Sequence, residues 1–158
     1  MTIPVDDRVV VSTFTTAGPD TAFQVFTEGI QSWWNPGHHV LQGEQKVMGV
    51  EPFVGGRLWD ETVDGRTCTW GRVLTWAPGR MFAFSWLIGP DWAVPAENAP
   101  GSRVTVTFIP ESGGTRVELV HDQLSEHGPG WENVHAGVGS PGGWPAGLQH
   151  FAEVASAA

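Results

Sequence analysis

Residues 54–86 read VGGRLWDETVDGRTCTWGRVLTWAPGRMFAFSW. The runs in this stretch are rich in β-branched and aromatic residues, alternate in character, and are broken by Gly55-Gly56, Asp64-Gly65 and Pro78-Gly79, the punctuation of antiparallel hairpins. The same grammar extends outward. KVMGVEP precedes the stretch, and RVTVTFI and TRVELVH follow it, with turn signals at Gly89-Pro90, Pro100-Gly101 and Gly113-Gly114. Six strands in an antiparallel meander are predicted. Upstream, DRVVVSTFTT (7–16) is a further strand that stops at Gly18-Pro19.

Helices flank the meander. Pro19 suits a first helical position and Asp20 the positive end of the helix dipole, and Phe23, Phe26, Ile30, Trp33 and Trp34 form one apolar stripe that Gly29 is placed to divide and Asn35-Pro36-Gly37 to stop. Trp131, Val134 and Val138 fit a short helix. A final helix over 141–156 is expected, with Ser140 as N-cap, Pro141 first, and Trp144, Leu148, Phe151 and Ala155 on one side. A curved antiparallel sheet with its long helix last will pack that helix across the concave face. The expected class is α+β.

Register decides what faces that helix. Taken as a two-residue turn, Asp64-Gly65 sets Leu58 against Gly71, Asp60 against Thr69 and Thr62 against Thr67 on one face, and Trp59 against Trp70 and Glu61 against Cys68 on the other. Around Pro78-Gly79 an even loop puts Phe82, Phe84 and Trp86 on a face with Thr75, Val73 and Gly71, whereas a one-residue bulge there would swap the assignment. The face of Phe82, Phe84 and Trp86 is taken as concave, because three rings beside small Gly71 and Val73 leave relief for a helix or ligand. Val104, Val106 and Phe108, then Val117, Leu119 and His121, continue it. Trp59, Trp70, Arg72 and Trp76 then fall on the convex side, an apolar patch and a possible homodimer surface.

Composition bounds the function. The 158 residues suit a single domain, 1–158, with its own core. Eight basic residues, Lys46 being the one lysine, face 17 acidic ones, and the net charge of −9 argues against nucleic acid. No apolar run reaches the length of a membrane span, and the start MTIPVDDR lacks the pattern of a signal peptide, so a cytoplasmic protein is expected. The lone Cys68 excludes an internal disulfide and reads as an ordinary strand residue. His38-His39, His127, His135 and His150 form no metal signature, and no glycine motif cradles phosphate. Neither a metal nor another cofactor is implied. Nine Trp, eight Phe and no Tyr leave tyrosine out of any mechanism and supply abundant rings.

With these residues in view, the chain resembles the START-like (SRPBCC) superfamily, and within it proteins related to the heat shock protein 90 ATPase activator. The resemblance rests on the GGR strand, the DG turn, the WGRVL strand, TRVELVH and the late SPGGWPAGLQHFA. It implies a helix-grip fold, in which a seven-stranded antiparallel sheet wraps a long C-terminal helix and encloses an apolar cavity, and it places position 58 inward. Activity does not transfer with the fold, since the superfamily includes lipid carriers and polyketide cyclases.

Three functions follow as expectations. The first is binding of a small hydrophobic or aromatic ligand between sheet and helix, lined by Trp33, Leu58, Val73, Phe82, Phe84, Trp86, Val106, Phe108, Leu119, Trp144, Leu148 and Phe151. The second is a cyclase- or hydratase-type enzyme with His121 as base and Asp60 as its partner or as an acid of raised pKa. The third is a protein-interaction or co-chaperone-like module using Trp59, Trp70 and Trp76.

Overall fold

The computed structural model describes residues 6–96 and 98–158; the first five residues of the polar start and residue 97 of the long loop lie outside it. Seven strands form one antiparallel sheet: β1 (Val9–Thr15), β2 (Gln45–Val50), β3 (Arg57–Thr62), β4 (Thr67–Ala77), β5 (Met81–Trp86), β6 (Ser102–Glu111) and β7 (Gly114–Asp122). Their spatial order is β1-β7-β6-β5-β4-β3-β2, so the six-strand meander is intact and the first strand adds to its far edge. Helix α1 (Pro19–Phe26), a single 3-10 turn (Ile30–Ser32), α2 (Trp131–Val138) and α3 (Trp144–Ser156) complete the helix-grip architecture. A second 3-10 turn, Leu124–His127, follows β7 and had no clear periodic signal.

Helix α3 lies in the concavity with Leu148, Phe151 and Ala155 buried against the sheet. Its end is tied to β1, where the hydroxyls of Thr15 and Ser156 are 2.9 Å apart and the Thr16 amide donates to Ser156 Oγ. The helix begins later than the expected residue 141. Ser140–Gly143 instead make a turn closed by the Gly143 amide on the Ser140 carbonyl, and Pro145 occupies the first helical turn. Close packing explains this: a Cβ on Gly143 would come within 2.4 Å of the Val138 carbonyl at the end of α2, so only glycine lets the chain reverse there.

The two central hairpins depart from simple alternation. Between β3 and β4 the loop is Val63-Asp64-Gly65, three residues with Gly65 at φ 89°, and not the two-residue turn expected. Asp60 therefore opposes Cys68, and Trp59 opposes Thr69. A bulge follows at once, because Leu58 pairs with Gly71, and both Trp70 and Gly71 are buried on the concave face. Further along β4 a second bulge lets Thr75 pair with Ala83 while Val73 still pairs with Phe84. Leu74 is pushed outward, 45% exposed, and Trp76 lands opposite Phe82.

These bulges overturn the convex tryptophan face. Trp70 is 4% exposed within the core, and Trp76 packs edge-on to Phe23 at 5.0 Å and Phe82 at 5.8 Å. Of the three, only Trp59 stays on the outer side, covering Gly49. A strand with strict period-two alternation cannot bury residues 70, 73 and 76 together; one bulge before Val73 and one after it can. The inward assignment of Leu58, Val73, Phe82, Phe84 and Trp86 survives, each being 5% exposed or less. Among the described residues, no helix is long and apolar enough to cross a membrane.

Candidate functional site

The concave space is filled at one end and open at the other. Near β1, β6 and β7, Phe23 and Phe26 of α1 pack against Phe82, Phe108 and Phe151, with ring centroids 5.2 to 6.4 Å apart. Beyond these rings, toward Met48, Asp60, Trp70 and Trp86, a cavity of about 730 Å³ remains, a volume typical of small-molecule sites. Its walls are the segment 33–40, Gln45 and Met48 of β2, Asp60, Trp70, Trp86 and Ile88, the end of α2, and one side of α3.

Six of the nine tryptophans line it: Trp33, Trp34, Trp70, Trp86, Trp92 and Trp144. Trp34 is central, its ring 5.1 Å from Trp70, 5.5 Å from Trp33 and 5.7 Å from Trp144. Four of these indoles already spend their N–H groups on protein: Trp33 on the Val25 carbonyl, Trp34 on the His38 carbonyl, Trp86 on the Ile88 carbonyl and Trp144 on His121 Nδ1. What they offer a ligand is ring surface. Trp92, on the long loop, closes one side with its ring over Gly137, at a backbone φ of 53°.

The polar lining is sparse and concentrated. Asp60 is 2% exposed, and its Oδ1 has no hydrogen-bond partner. Burial raises its pKa above the ordinary carboxylate value, opposed by the nearby His39 charge and the Gln45 amide. His39 Nδ1 is likewise buried without a partner. Cys68, opposite Asp60, has its thiol pushed up to about 11 by burial and the Asp60 charge, which makes it a poor nucleophile. His38 and His150 sit at the exposed rim, where His150 Nδ1 donates to the Trp33 carbonyl at 2.8 Å.

Of the twelve residues expected to touch a ligand, Trp33, Trp86 and Trp144 line the cavity. The other nine, Leu58, Val73, Phe82, Phe84, Val106, Phe108, Leu119, Leu148 and Phe151, form the packed core behind it. The physical reason is α1, whose phenylalanines occupy the half of the grip that the strand pattern alone leaves empty. Of the expected acid–base pair, Asp60 is on the cavity wall and His121 is not. His121 faces inward as the register implies, but Trp144 covers it and both its nitrogens are engaged, Nδ1 by Trp144 and Nε2 by Ser102 Oγ at 2.7 Å. Burial lowers its pKa to about 3. Trp34, Trp92 and His39 lie on the cavity without having been expected there, and Trp70, expected on the convex patch, lines it as well. Trp70 is hidden by its bulge, Trp34 and His39 by an irregular segment, and Trp92 by a loop between β5 and β6 that no strand or helix periodicity orients.

No curated protein matches the chain in sequence. Among solved structures, the anthrahydroquino-gamma-pyrone synthase Txn09, complexed with SUM, is 37% identical, with 93% of this chain and 96% of that one covered at a TM-score of 0.65. CalU16 from Micromonospora echinospora is 21% identical over 94% of this chain and 76% of that one, at a TM-score of 0.54. The Aha1 dimer from Colwellia psychrerythraea, 14% identical, covers 94% and 96% at a TM-score of 0.62. The last two share the fold. The model of the Activator of Hsp90 ATPase homolog 1-like family matches residues 16–155, and with a START/SRPBCC-type sheet gripping α3 beneath that match, the chain belongs to this family.

Proposed function

We propose that the protein binds a planar, largely apolar aromatic small molecule in the tryptophan-lined cavity. The observation that carries this reading is the convergence of six indoles from five segments of the chain on one space of about 730 Å³ with few polar groups. Aromatic walls favour flat rings through offset and edge contacts, and a pocket of this size buries most of a drug-sized ligand. The 37% identity to the anthrahydroquino-gamma-pyrone synthase Txn09 supports the same ligand class. Contacts come from Trp34, Trp70, Trp86 and Trp144, while Leu58, Phe82, Phe84 and their neighbours hold the wall that those rings lean on. A lone buried thiol suits a reducing compartment, and the reading takes the cytoplasm as its place.

The test is a titration of intrinsic tryptophan fluorescence with a series of two- to four-ring aromatic ketones and quinones, alongside native mass spectrometry of the freshly purified protein. Saturable quenching at one-to-one stoichiometry, weakened at least tenfold in Trp34→Ala, is expected. Failure of every ring size to quench, with no small molecule carried through purification, would overturn the reading.

A cyclase-type reading rests on a different observation, the buried and unpartnered carboxyl of Asp60 on the cavity wall. A wall intended only for apolar contact has no use for it.

A further inference from the structure

The described residues contain two buried side-chain polar atoms without a hydrogen-bond partner, Asp60 Oδ1 and His39 Nδ1, and both residues line the same cavity. Buried polar groups are almost always paired, because leaving one unpaired costs on the order of 1–3 kcal/mol. Two orphans on one wall mark a place where a ligand completes the hydrogen bonding. On the reading that the cavity holds an aromatic ligand, we propose that Asp60 and His39 act as an acid–base pair that enolises a ketone seated against the tryptophans.

The step balances within the pair. Asp60 gives its proton to the ketone oxygen, while Nδ1 of the His39 imidazole takes a proton from the adjacent carbon. The C–H bond breaks, its electron pair becomes the enol double bond, and the carbonyl π pair receives the Asp60 proton as O–H. Carboxylate and imidazolium remain, and the imidazolium proton returns to Asp60 directly or through solvent at the rim, restoring both groups. The reverse sequence ketonises the enol.

Placement supports these roles. The one charged neighbour acting on Asp60 is His39 itself; Lys46 on β2 pairs with Glu61 at 3.5 Å, and Cys68 opposite stays a neutral thiol. Burial outweighs the opposing His39 charge and Gln45 amide, so the Asp60 carboxyl keeps its proton to higher pH than usual, which is what an acid needs. His39 sits on the irregular segment between the 3-10 turn and β2 and lines the cavity, its Nδ1 free of any protein partner. His38 and His150 are exposed at the rim, and His150 already donates to the Trp33 carbonyl. His121 is behind Trp144. The substrate class is therefore a ring ketone fused to an aromatic system, with its carbonyl at Asp60 and its acidic C–H at His39.

The probe is 2-tetralone, whose C1 protons exchange with deuterium through the enol. Exchange is followed by proton NMR in deuterated buffer, and binding by tryptophan quenching under the same conditions. The wild-type protein is expected to accelerate exchange by roughly a hundredfold over buffer, the lower end for positioned acid–base groups. Asp60→Asn and His39→Gln should each lose at least tenfold of that acceleration at tetralone concentrations that saturate the quenching of each variant. Asp60→Ser serves if the asparagine variant misfolds. Tetralone that binds without faster exchange, or variants that keep full exchange, would overturn the pair while leaving the binding site standing. Absence of quenching would overturn the cavity reading, and the pair with it.

Discussion

Trp144 Nε1 donates a 3.0 Å hydrogen bond to Nδ1 of His121, joining the first turn of α3 to the inner face of β7. An indole N–H only donates, so Nδ1 must accept and the neutral ring carries its proton on Nε2. That proton points to Ser102 Oγ at 2.7 Å, and the serine hydroxyl in turn lies 2.8 Å from His127 Nε2. The chain runs Trp144, His121, Ser102, His127, with every link buried. It fixes one wall of the cavity to the sheet. A histidine inside a strand that looks available for catalysis is here an anchor for α3.

This anchor makes stability depend on acid. His121 is lowered from 6.5 to about 3 in the fold, and His127 is lowered too, both by burial. The unfolded chain therefore binds more protons between about pH 6.5 and 3, so the stability from this network is complete above the unfolded pKa and drains away as pH falls through that window. Urea denaturation should show unfolding free energy dropping by on the order of 1 kcal/mol per pH unit below 6.5. His121→Leu should flatten that slope even though it lowers stability at pH 7. An unchanged slope would assign the acid sensitivity to other groups.

Phe84 and Trp34 separate folding from binding. Phe84 is 1% exposed, touches Phe82 and Trp70, and does not line the cavity. Phe84→Ala should cost about 3–5 kcal/mol of stability, with the folded fraction keeping its affinity for an aromatic probe. Trp34, half-buried over open space, should show the reverse: a smaller stability loss and a large affinity loss. Calorimetry and quenching on the same two variants decide it.

Gly71 sits at the first bulge of β4, where an added Cβ would come within 2.5 Å of the Ser85 carbonyl oxygen. Backbone on the neighbouring strand cannot yield as a flexible side chain can. Gly71→Ala should lose about 1–3 kcal/mol and displace Trp70, weakening aromatic binding as well. Gly18→Ala, with nothing near its Cβ, is the control and should leave the melting temperature almost unmoved.

Trp92 closes the cavity by resting on Gly137 of α2, where a Cβ would meet its ring at 2.5 Å. The neighbouring Asn133 side chain donates to the Pro90 carbonyl at 2.8 Å and holds the loop down. Gly137→Ala should lift the ring, so stopped-flow quenching is expected to show faster association and faster dissociation, with a several-fold loss of affinity. Slower exchange of ligand would mean that Trp92 is wall and not cover.

Much of this molecule was legible in one dimension. The turn dipeptides and the β-branched runs marked all seven strands and their meander, since hairpins are local objects whose chemistry is written in adjacent residues. The stripe of Phe23, Phe26, Ile30 and Trp33 marked α1 and the 3-10 turn after it, and the inward placement of Leu58, Phe82, Phe84 and Trp86 followed from alternation. Asp60 stood out as a charged residue on an inward face. What the chain could not announce was where alternation breaks. The bulges at Trp70–Gly71 and Leu74–Thr75 are set by how β4 pairs with β3 on one side and β5 on the other, and they turn Trp70 and Trp76 inward. Nor could it announce which half of the concave space α1 would fill. That depends on packing between residues far apart in sequence, and it alone puts His121 behind a tryptophan and His39 beside Asp60.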